Sequence, residues 1–181
     1  MPLTHFHLGP GLFFGVLASR YLNLFAFLAG NVLLDIEPAL VILYNFKYPY
    51  LSYPHHGILH SFLSGIFIAL LIALVLKNYQ GKSQKEFTTI ARSKKEAFLS
   101  LLLPKSSFLK LFFSGLLGHW THIIFDSFMH YDVFPFWPSH FNPLLNLISV
   151  SQNYFLCSVL GIAGLVLLFL KLKNIKILKH A

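Results

Sequence analysis

The sequence is poor in charge. Only 11% of its 181 residues are Asp, Glu, Lys or Arg, whereas a soluble globular chain carries about 25%. That excludes an ordinary soluble domain. Cysteine is nearly absent: Cys157 stands alone inside an apolar run. An internal disulfide and a thiolate-built zinc site are thereby excluded. The opening stretch MPLTHFHLGPG holds no Lys or Arg, so it does not read as a cleaved signal peptide. Internal repeats and low-complexity tracts are missing too, and 181 residues make one domain. Acidic residues number six, few enough that the position of each is informative.

What is present is apolar. Hydrophobic residues make up 56% of the chain and 20 residues are Phe. The mean hydropathy is +0.66. The sequence therefore predicts an all-α integral membrane bundle of about five helices, a single membrane-embedded domain over 1–181. A short helix is expected at Gly11–Ser19, started by Pro10 in its first turn, and a second at Tyr21–Asp35. Both fall short of the ~20 residues that cross a bilayer, so they read as a short hairpin. Asp-Ile-Glu-Pro interrupts the second, because the residue before a proline leaves the α region. Pro38 then restarts a short helix through Tyr44. Three full spans follow, at Gly57–Lys77, Ser107–His130 and Phe155–Leu170. Between them lie aromatic, proline-rich stretches: Tyr44, Tyr48, Tyr50 and Tyr53 in one, Pro-Phe-Trp-Pro in the other. These suit the membrane interface.

The net charge of +8 is unevenly placed. Eight of the 14 basic residues lie between Lys77 and Lys110, and Lys171, Lys173, Lys176 and Lys179 lie in the tail. By the positive-inside rule the loop 78–106 and the tail 171–181 are cytoplasmic. Residues 98–103 could lie in the interface. The lysines would touch anionic lipid headgroups. No nucleic-acid-binding motif accompanies them, so nucleic acid is not an expected partner.

The chain is organised around GHWTHIIFDSFMHYD, Gly118 to Asp132. His119, His122, Asp126 and His130 follow at spacings of three, four and four, which share one face of a helix. Imidazole and carboxylate are costly in an apolar helix unless paired or bound to a cation. His56 and His60 form a second i, i+4 pair at the start of the next-earlier span. The orientation above gathers nine of the ten His and four acids, Asp35, Glu37, Asp126 and Asp132, into the outer layer. Polar residues at helix ends could be a solvated rim, but His60, His122 and Asp126 are expected within helices.

His56, Gly57, His60 and Ser61 (His-Gly-x-x-His-Ser), the earlier Asp35, and Gly118, His122 and Asp126 (Gly-x-x-x-His-x-x-x-Asp) form an ordered set. With the later Pro-Phe-Trp-Pro, this set resembles the predicted membrane-bound metal-dependent hydrolases, also known as LexA-binding, inner-membrane-associated hydrolases. The resemblance runs from about residue 3 to residue 145. It implies that His56, His60, His122 and Asp126 are metal ligands, with His7 and Asp35 as additions. The chain departs from that family at Gly57, where a basic residue is common, and at Glu37, where many members have Asp.

The expected function is therefore a metal-dependent hydrolase in the inner membrane, with membrane lipids around it. Its substrate would be a lipid-linked or membrane-proximal ester or phosphoester. Imidazole and carboxylate donors without thiolate suit one or two ions of Zn²⁺, Mn²⁺ or Fe²⁺. His119 or Glu37 would serve as general base, or would support a ligand from behind. Two other functions use the same residues: an ion or proton carrier or sensor, and a structural protein whose polar groups only join helices.

Overall fold

Among the described residues, four helical lengths are long and apolar enough to cross a bilayer: Leu24–Lys47, Phe62–Gln80, Phe108–Ser127 and Val150–Asn174, with the shorter apolar helix Leu8–Leu17 before them. The computed structural model describes residues 7–48, 54–82, 101–102 and 104–174. His5, Tyr50, Tyr53, most of the basic loop (83–100), the start of the interfacial segment and the tail beyond 174 lie outside the described residues. Among the described residues there is no strand.

The helices are α1 (Leu8–Leu17), α2 (Leu24–Val32), α3 (Ile36–Lys47), α4 (Phe62–Lys82), α5 (Phe108–Ser127) and α6 (Val150–Asn174). Their starts follow from local chemistry. Asn23 caps α2, its side chain accepting from Ala26 N at 2.9 Å, and Ser107 caps α5, accepting from Lys110 N at 3.2 Å. Before α6, Ser149 and Gln152 close a reciprocal box. Ser149 N donates to Gln152 Oε1 at 2.8 Å, and Gln152 N donates to Ser149 Oγ at 3.2 Å.

The expected hairpin is where the structure departs most from the sequence reading. Asp-Ile-Glu-Pro does not break the chain. A single 3-10 turn at Leu33–Asp35 joins α2 to α3 with right-handed torsions throughout. Pro38 falls in the first turn of α3, where its missing N–H leaves no bond unmade. The tighter turn absorbs the proline, and α2 and α3 together form a 24-residue span. At 1.5 Å per residue that is about 36 Å, enough to cross the hydrocarbon layer. The bundle has four candidate spans and one short helix rather than three and a hairpin.

Helix α5 packs against α2 and α4, while α1 lies between α2 and α6. The α2–α5 crossing is a backbone contact. A Cβ on Gly30 would strike Gly115 O, and one on Gly118 would strike Phe27 O. Small residues at such positions let helices approach in lipid, where no hydrophobic force drives them together. Ala26, Ile72, Ala73, Leu76 and Leu111 form the apolar core beside this crossing. Leu70, Leu71 and Leu74 on α4, with Ile162, Val166 and Phe169 on α6, are exposed as lipid-facing surfaces are.

The bundle has two chemically different ends. At one end Lys77 Nζ donates to Ser106 O at 3.2 Å, and Lys110 Nζ to Arg20 O at 3.5 Å. Lys171 Nζ donates to Val16 O and Ser19 Oγ there as well. The other end gathers His7, the α2–α3 turn, the 54–61 loop and the end of α5.

Candidate metal centre

Asp126, in the last turn of α5, is the point on which the histidine end converges. Its carboxylate is 3% exposed. Five imidazoles aim Nε2 at it. His7 lies 3.2 Å and His130 4.0 Å from Oδ1. His122, His60 and His56 lie 3.0, 3.5 and 4.0 Å from Oδ2. Asp35 joins from the α2–α3 turn, with Oδ1 3.7 Å from His122 Nε2.

The residues arrive from four segments of the chain. His7 precedes α1, which is held close to α6 because Gly9 has no Cβ to strike Cys157 O. Asp35 and Glu37 are presented by the continuous α2–α3 rod. His122 and Asp126 are one turn apart on α5, as their spacing requires.

His56 and His60 depart from the sequence reading. They do not open a helix, because α4 starts at Phe62. The backbone N–H groups of the 54–61 loop are taken by carboxylates instead of by a helical ladder. Asp132 Oδ2 accepts from His55 N at 3.0 Å and His56 N at 3.2 Å. Glu37 accepts from Gly57 N at 3.1 Å and Leu59 N at 3.4 Å. The same two carboxylates hold the rings: Asp132 Oδ1 is 2.9 Å from His56 Nδ1, and Glu37 Oε2 is 2.9 Å from His60 Nδ1. An ionised carboxylate only accepts, so each Nδ1 carries a proton, and in the neutral His60 ring Nε2 keeps its lone pair.

That assignment sets up a conflict which a cation would resolve. Nε2 of His56 and Nε2 of His60 both face Asp126, an anion. His60 Nε2 and both ring nitrogens of His7 are buried with no hydrogen-bond partner. Protonation does not relieve this, because burial lowers the pKa of His60. It lowers His7 and His130 to about 4. Burial also opposes ionisation of Asp132, but the His56 ring and its hydrogen bonds outweigh it and hold the carboxyl below its usual range. Neutral imidazole and ionised carboxylate are the states that bind metal.

The spacings fit as well. Donors ~2.1 Å from one ion stand about 3.0 Å apart at octahedral and about 3.4 Å apart at tetrahedral angles. The separations at Asp126 run from 3.0 to 4.0 Å. Four groups of three donors lie close enough to hold an ion: His7, His122 and Asp126; His56, His60 and Asp126; Asp35, His60 and His122; His56, His130 and Asp132.

Six residues singled out in the sequence, His7, Asp35, His56, His60, His122 and Asp126, thus meet at one place. Glu37 touches that place from behind, through His60. His119 lies apart, one turn deeper on α5. Its Nε2 is 3.2 Å from Ser61 O and 3.3 Å from Ser64 Oγ, and its ring fills the space left by Gly65. His130 and Asp132 were not singled out as ligand and partner. His130 nonetheless keeps the direction its i, i+4 spacing from Asp126 gives, its N–H bonding Asp126 O at 3.0 Å, whereas Asp132 lies farther on, where helical spacing no longer says which way a side chain turns.

The sequence matches one protein family over residues 1–179. The chain belongs to the YdjM inner membrane protein family. No curated protein and no solved structure matches it. With four helices able to span, this member of the YdjM family is a multi-pass inner-membrane protein. Its histidine–carboxylate centre sits at one end of the bundle.

Proposed function

We propose that this YdjM-family chain is a membrane-bound metal-dependent hydrolase acting on a lipid-linked or membrane-proximal ester or phosphoester. One observation carries the reading: imidazole nitrogens, two of them on rings fixed from behind by Glu37 and Asp132, converge on the buried Asp126 carboxylate. A structural polar cluster would satisfy its own hydrogen bonds, and this one leaves buried nitrogens open.

His7, His56, His60, His122 and Asp126 would hold the metal, Zn²⁺, Mn²⁺ or Fe²⁺ by donor type. Such an ion lowers the pKa of water and polarises an ester or phosphoryl oxygen. Glu37 and Asp132 orient the two loop histidines, and their hydrogen bonds make Nε2 more basic. Asp35 Oδ2 has no hydrogen bond, so it can accept the proton of an attacking water. His119 braces the 57–61 loop against α5 through Ser61 and Ser64. Asp35, Glu37 and His130 are the more exposed members, at 18% of their side chains, so substrate enters beside them.

A proton or ion relay has less support. It needs titratable groups along the spans, and the core between the two ends is Ala26, Ile72, Ala73, Leu76 and Leu111. We place the lysine end in the cytoplasm on the distribution of basic residues, with the metal centre on the opposite side. Labelling Ser83→Cys from either face of sealed vesicles tests this, and labelling only from outside overturns it.

The function is tested on the full chain in detergent. Metal content is measured after repletion, and turnover of p-nitrophenyl esters and bis-p-nitrophenyl phosphate is followed with and without EDTA. Bound metal and a loss of turnover on chelation are expected. A wild-type chain that takes up no metal removes the reading.

A further inference from the structure

We infer that the centre holds two divalent ions, bridged by Asp126, with His7 and His122 on one side and His56 and His60 on the other. This rests on the metal-dependent reading and narrows it. Three independent features support it.

The first is the donor arrangement. Two of the three-donor groups, His7–His122–Asp126 and His56–His60–Asp126, share no residue except Asp126. The carboxylate offers both oxygens: Oδ1 faces His7, and Oδ2 faces His56, His60 and His122, so His122 stands where the two groups adjoin. One ion takes four donors in tetrahedral geometry and six in octahedral. Five imidazoles and the carboxylates of Asp35 and Asp126 are more than it can use.

The second is where bonding is unmet. His7 Nε2 and His60 Nε2 are both buried without a hydrogen-bond partner. They belong to different groups, so each proposed position has its own open nitrogen. Both residues are at most 3% exposed.

The third is charge. Asp35, Glu37, Asp126 and Asp132 are the only acidic residues among the described ones, and every ion pair they make is with a histidine. Four carboxylates gathered in one cluster with no Lys or Arg paired to them match the formal charge of two dications. A single dication would leave two negative charges uncompensated in a largely buried site, which is costly.

The experiment uses the full-length chain in detergent, stripped with EDTA and repleted with Mn²⁺ alone. Elemental analysis and EPR are read together. Two Mn²⁺ per chain with an exchange-coupled spectrum are expected. His7→Ala and His56→Ala should each fall to one ion per chain and lose the coupling, with helical circular dichroism unchanged. One ion in the wild type overturns the two-ion inference and leaves the hydrolase reading standing. No ion overturns both. Two uncoupled ions overturn the bridging role of Asp126, and two ions retained in a folded His7→Ala overturn the assignment of sides. If both variants misfold, the wild-type stoichiometry and spectrum still decide.

Discussion

The two ends of the bundle both bury polar groups in an apolar setting, and they treat them oppositely. At the lysine end polar atoms meet neutral partners. Asn23 Nδ2 donates to Pro104 O and Ser106 Oγ at 3.2 and 3.1 Å, and its backbone N donates to Ser114 Oγ at 2.8 Å. Gln80 closes the same joint from α4 through Pro104 O and Ser106 N. None of the buried, unpartnered side-chain atoms among the described residues falls there. At the histidine end carboxylates and imidazoles crowd together, and several nitrogens stay open. Polar groups that tie helices together satisfy one another, whereas groups that bind a ligand keep a valence for it.

The contrast can be broken by substitution. Asp126→Ala should have the largest effect. It removes the atoms on which five imidazoles converge, and metal content should drop to under about a tenth of wild type, because Asp126 is the one residue common to both groups. Helicity should persist, since the spans are held by lipid-facing and glycine-mediated contacts. If the variant instead loses stability and the wild type had no metal to lose, the histidine end is a helix joint like the other.

Glu37→Gln and Asp132→Asn should come next. Each amide can still accept from the loop backbone, but its N–H₂ can also face the ring and disturb the imidazole tautomer. Loss of such support typically weakens metal binding by about 10–100-fold. Competition with a chelator measures it, and an unchanged affinity would show that the loop histidines are not held for a ligand.

Asn23→Ala probes the other end. It removes the α2 cap and the links to Pro104 and Ser106. A cap alone is worth about 0.5–2 kcal/mol, so thermal stability in detergent should fall by at least that much with metal content unchanged. Metal loss here would erase the distinction between the ends. The smallest effect should come from Lys110→Ala. Its bond to Arg20 O is long and exposed, and the change should stay within about 0.5 kcal/mol, with no change in metal.

Much of this was legible in the residues alone. Hydrophobic runs of sufficient length imply spans wherever they sit, because a lipid environment forces backbone groups to pair within their own helix. The i, i+4 relation of His122 and Asp126 is likewise local, since helical geometry places both on one face whatever packs around them. The orientation of His60 was not local. Its place before α4 rather than on it came from Glu37, 23 positions away, taking the N–H groups that would have begun the helix.

Sequence by itself thus determined the all-helical membrane class, three of the four apolar spans and most of the residues that cluster at the histidine end. Tertiary structure decided the rest. It showed that Pro38 sits at the start of a continued rod, because only the observed 3-10 turn tells a tightened helix from a broken one. It separated His119 from His122 despite their shared face, because Ser61 and Ser64 of the neighbouring elements claim its ring. It also brought in Asp132 as the partner of His56. Periodicity specifies direction only while a helix lasts. Beyond His130 the direction of a side chain is set by what it meets, and that depends on segments distant in the chain.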